Sequence, residues 1–150
     1  MEQTMMQAVE ITNQEQLKLA FDIRMEVFVK EQGVAAEVEI DEYDVLDGKT
    51  SHALVYYDDK PVGTGRVRVD EETKTAKLQR ICVRAAYRKY GVGKVVMDKL
   101  EQLAKRDGAS KAKLHGQTEA EGFYLKLGYR TASDVFMEEG IPHVLMVKEL

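Results

Sequence analysis

The chain holds a single cysteine, no tryptophan and no apolar run close to the length of a membrane span. Each shortage removes a class of explanation. Cys82, being alone, excludes an intramolecular disulfide and fits a reducing compartment. A bilayer-crossing helix needs about 20 consecutive apolar residues, so no membrane partner is expected. The opening Met1-Glu2-Gln3-Thr4 lacks the basic, then apolar, pattern of a signal peptide. The expected location is cytoplasmic.

Positive charge is also in short supply. Lys and Arg number 22 against 26 Asp and Glu, for a net charge of −4. Nucleic-acid binding rests on neutralising phosphates with surplus cations, and there is neither a surplus nor an interleaving of basic with aromatic residues. Nucleic acid is therefore not an expected partner. His52, His115 and His143 show no H-E-x-x-H or similar spacing, so no metal is expected either. What remains is 150 residues, 44% of them hydrophobic, enough for a single domain over 1–150 with one sizeable core.

The stretch from Ala76 to Asp107 organises this core. Leu78, Ile81, Cys82 and Val83 make a nearly continuous apolar strand over 76–83, the kind that is covered on both faces. Val92, Val96, Leu100 and Leu103 recur at helical spacing and form a stripe that must pack on something. Gly108 stands where a helix end favours a left-handed residue. Between strand and helix lies Arg88-Lys89-Tyr90-Gly91-Val92-Gly93, the pattern R-x-x-G-x-G. Unpaired N–H groups and the dipole of a helix N-terminus suit a phosphate there, and Arg84, Arg88, Lys89 and Lys94 add positive charge. The Walker pattern G-x-x-x-x-G-K-[ST] is absent, and the dinucleotide fingerprint lacks its third glycine.

Around this centre the chain alternates plainly. Met6–Ile11 predicts a first strand with Val9 and Ile11 turned inward. Asn13 with Gln16 forms a capping box that opens a helix through Leu17, Ala20, Phe21, Arg24 and Phe28, widened by Ile23 and Val27. From Gly33 to Gly48 the chain turns acidic, reading as a solvated loop or as a wall of negative potential that draws in a cationic amine. Ser51–Tyr57, Val62–Val69 and the central strand predict an antiparallel meander, with Gly63 and Gly65 marking a bulge or a close backbone approach. Lys111–Gly116 is a further strand, a short helix ends at Gly128, and two last strands flank the turn Glu138–Pro142. The sum is an α+β domain around a mixed, mostly antiparallel sheet.

Three segments carry a resemblance. The loop at Arg88–Gly93 resembles the acyl-CoA-binding motif of the GNAT acetyltransferase superfamily. Arg24-Met25-Glu26-Val27-Phe28-Val29-Lys30-Glu31-Gln32 is similar to the R-x-x-V-F-V-x-E-Q opening of its small bacterial ElaA/YjcF-like branch, and Gly140-Ile141-Pro142-His143 to Met146 is similar to that branch's G-I-P-H-x-x-M close. The resemblance implies the GNAT fold and acetyl-CoA as co-substrate without a metal. It implies transfer to an amine of a small molecule or peptide, by direct attack on the thioester. Carried over to this chain, Arg88, Lys89, Tyr90, Gly91, Val92, Gly93 and Lys94 would hold the pyrophosphate. The main chain of Ile81 and Val83 would pair with the pantetheine arm where the central strand splays, and an N–H at or beside Cys82 would face the developing oxyanion. Tyr124, in Gly122-Phe123-Tyr124-Leu125-Lys126-Leu127-Gly128-Tyr129, would protonate the departing thiolate; otherwise it is a packed aromatic. Lys89 and Ala85 stand where this family often has glycine and proline.

The acceptor side stays open. Glu31, Asp41, His52, His115 and His143 are candidate general bases, His143 equally a structural hydrogen-bonding group in a turn. Arg80 would hold a substrate carboxylate or pair with an acid. Cys82 invites a covalent acyl-enzyme, but mid-strand cysteine is usually a small buried hydrophobe. A non-catalytic acyl-CoA-binding sensor with the same fold is the alternative function, and exposed strand edges allow a homodimer.

Overall fold

Asn13 decides where the first helix begins. Its Oδ1 accepts the Gln16 amide at 2.9 Å, while Gln16 Oε1 reaches back to the Thr12 amide at 2.9 Å. The expected box forms, with its return arm one residue early. The structure, a computed structural model, describes residues 5–150; Met1–Thr4, read above for a signal, lie outside the described residues. Strand β1 (Met6–Glu10) precedes the cap and helix α1 (Gln14–Arg24) follows it. The spacing predicts a plain helix through Phe28, but the chain widens into a π-helical segment, Met25–Glu31, closed by the Gln32 amide on the Val27 carbonyl at 3.2 Å. A hydrophobic pattern this short does not separate the two pitches.

After a single-turn helix α2 (Ala36–Glu39) comes the meander β2 (Thr50–Tyr57), β3 (Lys60–Asp70) and β4 (Thr75–Val83), antiparallel throughout as expected. Helix α3 (Val92–Arg106) then lies across it. The two glycines of β3 answer to both expected reasons. The β3–β4 register slips between Thr64 and Arg66, and a Cβ on Gly63 would stand 2.8 Å from Val92 Cγ1. Helix and strand touch backbone to side chain there, which only glycine permits.

Gly108 closes α3 with φ +93 and leads into β5 (Lys111–Gln117), which runs parallel to β4. A 3-10 turn (Thr118–Ala120) and helix α4 (Glu121–Lys126) return the chain to β6 (Arg130–Thr131), β7 (Phe136–Glu138) and β8 (Ile141–Glu149). The first of the two expected closing strands is thus broken in two. Ser133 Oγ accepts the Leu145 amide at 2.8 Å, so a side chain replaces the ladder bond between the pieces. The sheet order is β1-β2-β3-β4-β5-β8-β6, with β7 also on β8.

Helices cover both faces of this sheet. The α3 stripe (Val92, Val96, Leu100, Leu103) is buried against Ala53, Val55 and Leu78. Leu17, Ala20 and Ile23 of α1 cover Leu54 and Cys82 on the other face. Each such Val or Leu contributes about 1.5–3 kcal/mol when withdrawn from water.

Candidate active site

Strands β4 and β5 pair only from Thr75–Lys111 to Leu78–Leu114. Beyond that point β5 continues with β8 as far as Gln117–His143, while β4 continues with β3 as far as Val83–Gly63. The two strands part because β4 carries a bulge: Arg80 adopts φ 59, and Arg80 and Ile81 have no register partner on β3. An extra residue bends its strand and ends regular pairing. The parting leaves a cavity of about 440 Å³ between Gln79–Cys82 and the end of β5, with Tyr124 of α4 and Val27 and Phe28 of the π segment on its walls.

Ile81 and Cys82 line this cavity, whereas Val83 lies past it with its carbonyl accepting from Arg88 Nε at 3.0 Å. At the mouth, α3 begins on Gly91, which takes φ 78 and has open space where a Cβ would be. The amides of Val92, Gly93 and Lys94 find no partner among the described residues, as the first turn of a helix dictates. On one side of Gly93 a Cβ would stand 3.1 Å from the Phe123 ring, so a side chain there would press on α4. Lys94 pairs with Asp98 at 3.0 Å on the outer face of α3. Lys89 is exposed, and Tyr90 clusters with the rings of Tyr57 and Tyr87.

Tyr124 is buried, and burial, with the neighbouring Cys82 adding to it, pushes its phenol up to about 12. It is therefore neutral and a donor across the physiological range. Gly116 of β5, which no motif singled out, makes room for it: a Cβ there would stand 3.1 Å from Tyr124 Cδ2. A glycine inside a strand was the available signal. Cys82 is buried too, and burial drives its thiol upward, away from the thiolate a nucleophile needs.

The acidic stretch overturns both of its readings in part. Glu39, Asp41 and Asp44 are neither solvated nor a free negative wall. Arg24 binds Asp44 at 2.6 Å and Glu39 at 3.2 Å. Arg66 binds Asp44 and Asp41, each at 2.8 Å, and Arg80 reaches Glu39 at 3.2 Å and Asp41 at 3.4 Å. Three cations thus match three anions. Burial works to raise Asp44, but Arg24, the Asp41 amide and Arg66 carry it well below the usual carboxylate range. Asp41 is likewise lowered against its own burial, chiefly by Arg66. Glu39 goes the other way: burial raises it, and Arg80 and Arg24 offset only part of that.

These pairs thin out the candidate bases. Asp41 has both oxygens on Arg66. Glu31, expected on the acceptor side, is held by Arg88 at 3.0 and 2.9 Å and does not line the cavity. Arg88 is thus bonded on both sides, to Glu31 and to the Val83 carbonyl. Arg80 takes the acid-pairing role of its two alternatives. His52 is buried away from the cavity, with burial lowering it. His115 and His143 both line the cavity, and Glu138, which the sequence reading missed, stands between them. Nothing in its local spacing marks it. Among the described residues no group of three or more His, Cys, Asp or Glu is arranged to hold a metal, and no helix is long and apolar enough to cross a membrane.

A mixed sheet that opens between two parallel strands, beside a glycine-started helix, defines an acyl-CoA N-acyltransferase fold. The chain belongs to the GNAT acetyltransferase family: the model of the acetyltransferase (GNAT) domain matches residues 7–150. It is 49% identical over 145 residues to the uncharacterized N-acetyltransferase YjcF of Bacillus subtilis (strain 168), covering 96% of this chain and all of that one. The crystal structure of Escherichia coli ElaA superposes with a TM-score of 0.85 at 26% identity, covering 97% of this chain and 100% of that one. The PaiA N-acetyltransferase from Thermoplasma acidophilum, solved in complex with coenzyme A, shares the fold at a TM-score of 0.71 and 15% identity, over 97% of this chain and 99% of its own.

Proposed function

We propose that this protein moves an acetyl group from acetyl-CoA to a primary amine of a small molecule or peptide, by direct attack in a ternary complex. The observation that carries the reading is the cleft where β4 leaves β5, floored by Ile81 and Cys82, with a neutral buried phenol on its wall. The residues present suit a coenzyme A. Backbone groups of Gln79–Val83 lack a β5 partner, the first amides of α3 are free, and Gly91 leaves the space of a Cβ open beside them. Acetyl-CoA supplies an acetyl group activated as a thioester. The chain's part is to hold phosphates on the α3 amides, align the arm along β4, and give the Tyr124 proton to the departing sulfur. The relatives named N-acetyltransferases and the coenzyme A complex of PaiA support the same reading.

Thiol release from acetyl-CoA over a panel of polyamines, amino sugars, amino acids and peptides tests it. Release that depends on one amine class is the expected result. Calorimetric binding of coenzyme A with no release for any amine would point instead to an acyl-CoA sensor, and a response to ATP but not coenzyme A would overturn both.

A further inference from the structure

His143 Nδ1 lies 2.7 Å from the Ile141 carbonyl oxygen. A carbonyl only accepts, so Nδ1 carries the hydrogen and the neutral ring keeps its lone pair on Nε2. That nitrogen stands 3.7 Å from Glu138 Oε2. The gap is too long for a hydrogen bond and short enough for an ion pair once the ring is charged. The other oxygen, Oε1, accepts from His115 Nδ1 at 2.9 Å, which fixes the carboxylate. Phe136 stacks on His143 at 21° and meets His115 edge-on at 77°, holding both rings.

We propose that His143 Nε2 is the base that takes a proton from the acceptor ammonium, with Glu138 as the counter-ion to the charged ring and His115 as the group that positions Glu138. This rests on the acetyl-transfer reading above. Two of the competing acids of the cavity, Asp41 and Glu39, are occupied by arginines, and Glu139 is exposed on the β7–β8 turn. Of the other ionisable groups opening on it, Lys77, Arg80 and Cys82 come from β4, Glu139 from the β7–β8 turn and Tyr124 from α4. Gln117, the ladder partner of His143, is neutral. Glu138 is the carboxylate within ion-pair reach of Nε2.

The protons balance. The ammonium gives one proton to Nε2, and the freed lone pair forms the N–C bond as the C–S bond breaks. Tyr124 gives its proton to sulfur and regains one from the nitrogen, leaving an amide, a thiol and an imidazolium that passes its proton to water. An acceptor whose amine is already neutral would need no such base.

Side-chain 15N–1H spectra of the histidines across pH test the arrangement without any acceptor. Neutral His143 should carry its hydrogen on Nδ1 and none on Nε2, in wild type and in Glu138→Gln alike. Glu138 lies on the surface and Gln has its size, so the variant keeps its fold. With spermidine or glucosamine as acceptor, Glu138→Gln should lower turnover, and by less than His143→Gln does. His143→Gln should lose ~100-fold on whichever of these is acetylated and little on hydroxylamine, which is neutral near pH 7. A hydrogen on Nε2, full turnover in Glu138→Gln, or equal losses of His143→Gln on both amine types would overturn the proposal. If wild type acetylates no amine, the transfer reading falls and the base with it. The spectra, read without any acceptor, tell that outcome from an error about the His143 ring.

Discussion

A phenol held neutral next to a buried thiol is a proton source that solvent pH hardly reaches. Tyr124→Phe should lower turnover about 100-fold while leaving coenzyme A affinity within twofold, measured by thiol release and calorimetry. Since burial holds the phenol near 12, its loss from the high-pH side of the profile lies above the range of an ordinary assay. Cys82→Ala is the companion test. With the thiol pushed upward by burial, this variant should keep most of its turnover, and no acyl-enzyme should appear by intact mass in wild type. Both residues were readable from the sequence, one from its motif and one from its apolar strand. Glu138 was not, because its partners His115 and His143 come from two other strands and meet it only when the sheet is assembled.

At the scale of elements, the contact between β3 and α3 sets where the cleft mouth lies. The Cβ of Gly63→Ala would press on Val92 Cγ1 and Val96 Cγ2, 2.8 and 3.0 Å away. Both are β-branched and cannot swing clear, so α3 must shift. We expect a loss of about 1–3 kcal/mol in urea unfolding, accompanied by a raised KM for acetyl-CoA because Val92 belongs to the first turn. Most of this architecture was legible: the meander, the α3 stripe, the bulge signalled by Gly63 and Gly65, and the left-handed Gly108. The π-helical segment was not, since Val27 and Phe28 keep their apolar pattern in either pitch. Nor was the extent of the cleft, because where β4 stops pairing depends on φ at Arg80, a residue with no intrinsic preference for that region.

For the molecule as a whole, the arginine–carboxylate cluster ties α1, the acidic loop and β3 together. Asp44 shows no side-chain exposure and binds both Arg24 and Arg66. Asp44→Asn should cost about 3 kcal/mol at pH 7, since it leaves two buried guanidinium groups with one carboxylate each, Glu39 for Arg24 and Asp41 for Arg66. The pH dependence has a definite sign. The Asp44 carboxylate is lowered from 3.8, so its contribution is complete above that unfolded value and fades as pH falls through the lower folded one. The stability gap between variant and wild type, read from urea midpoints, should therefore be smaller at pH 3 than at pH 7. Sequence reading saw the acids and the arginines but not their pairing, which spans 20 and 22 positions for Asp44.

The short seam between β4 and β5 also makes the protein divisible. Its sheet is two half-sheets joined by the pairs from Thr75–Lys111 to Leu78–Leu114, reinforced by Glu101 of α3 bonded to Tyr129 and Lys148. Gly108 stands exposed at the junction, after the last residue of one half and before the first strand of the other. Severed there, the chain becomes two complementary fragments whose reassociation depends on that seam. A molecule straddling the cleft would stitch them together, turning fragment reassembly into a gauge of cleft occupancy.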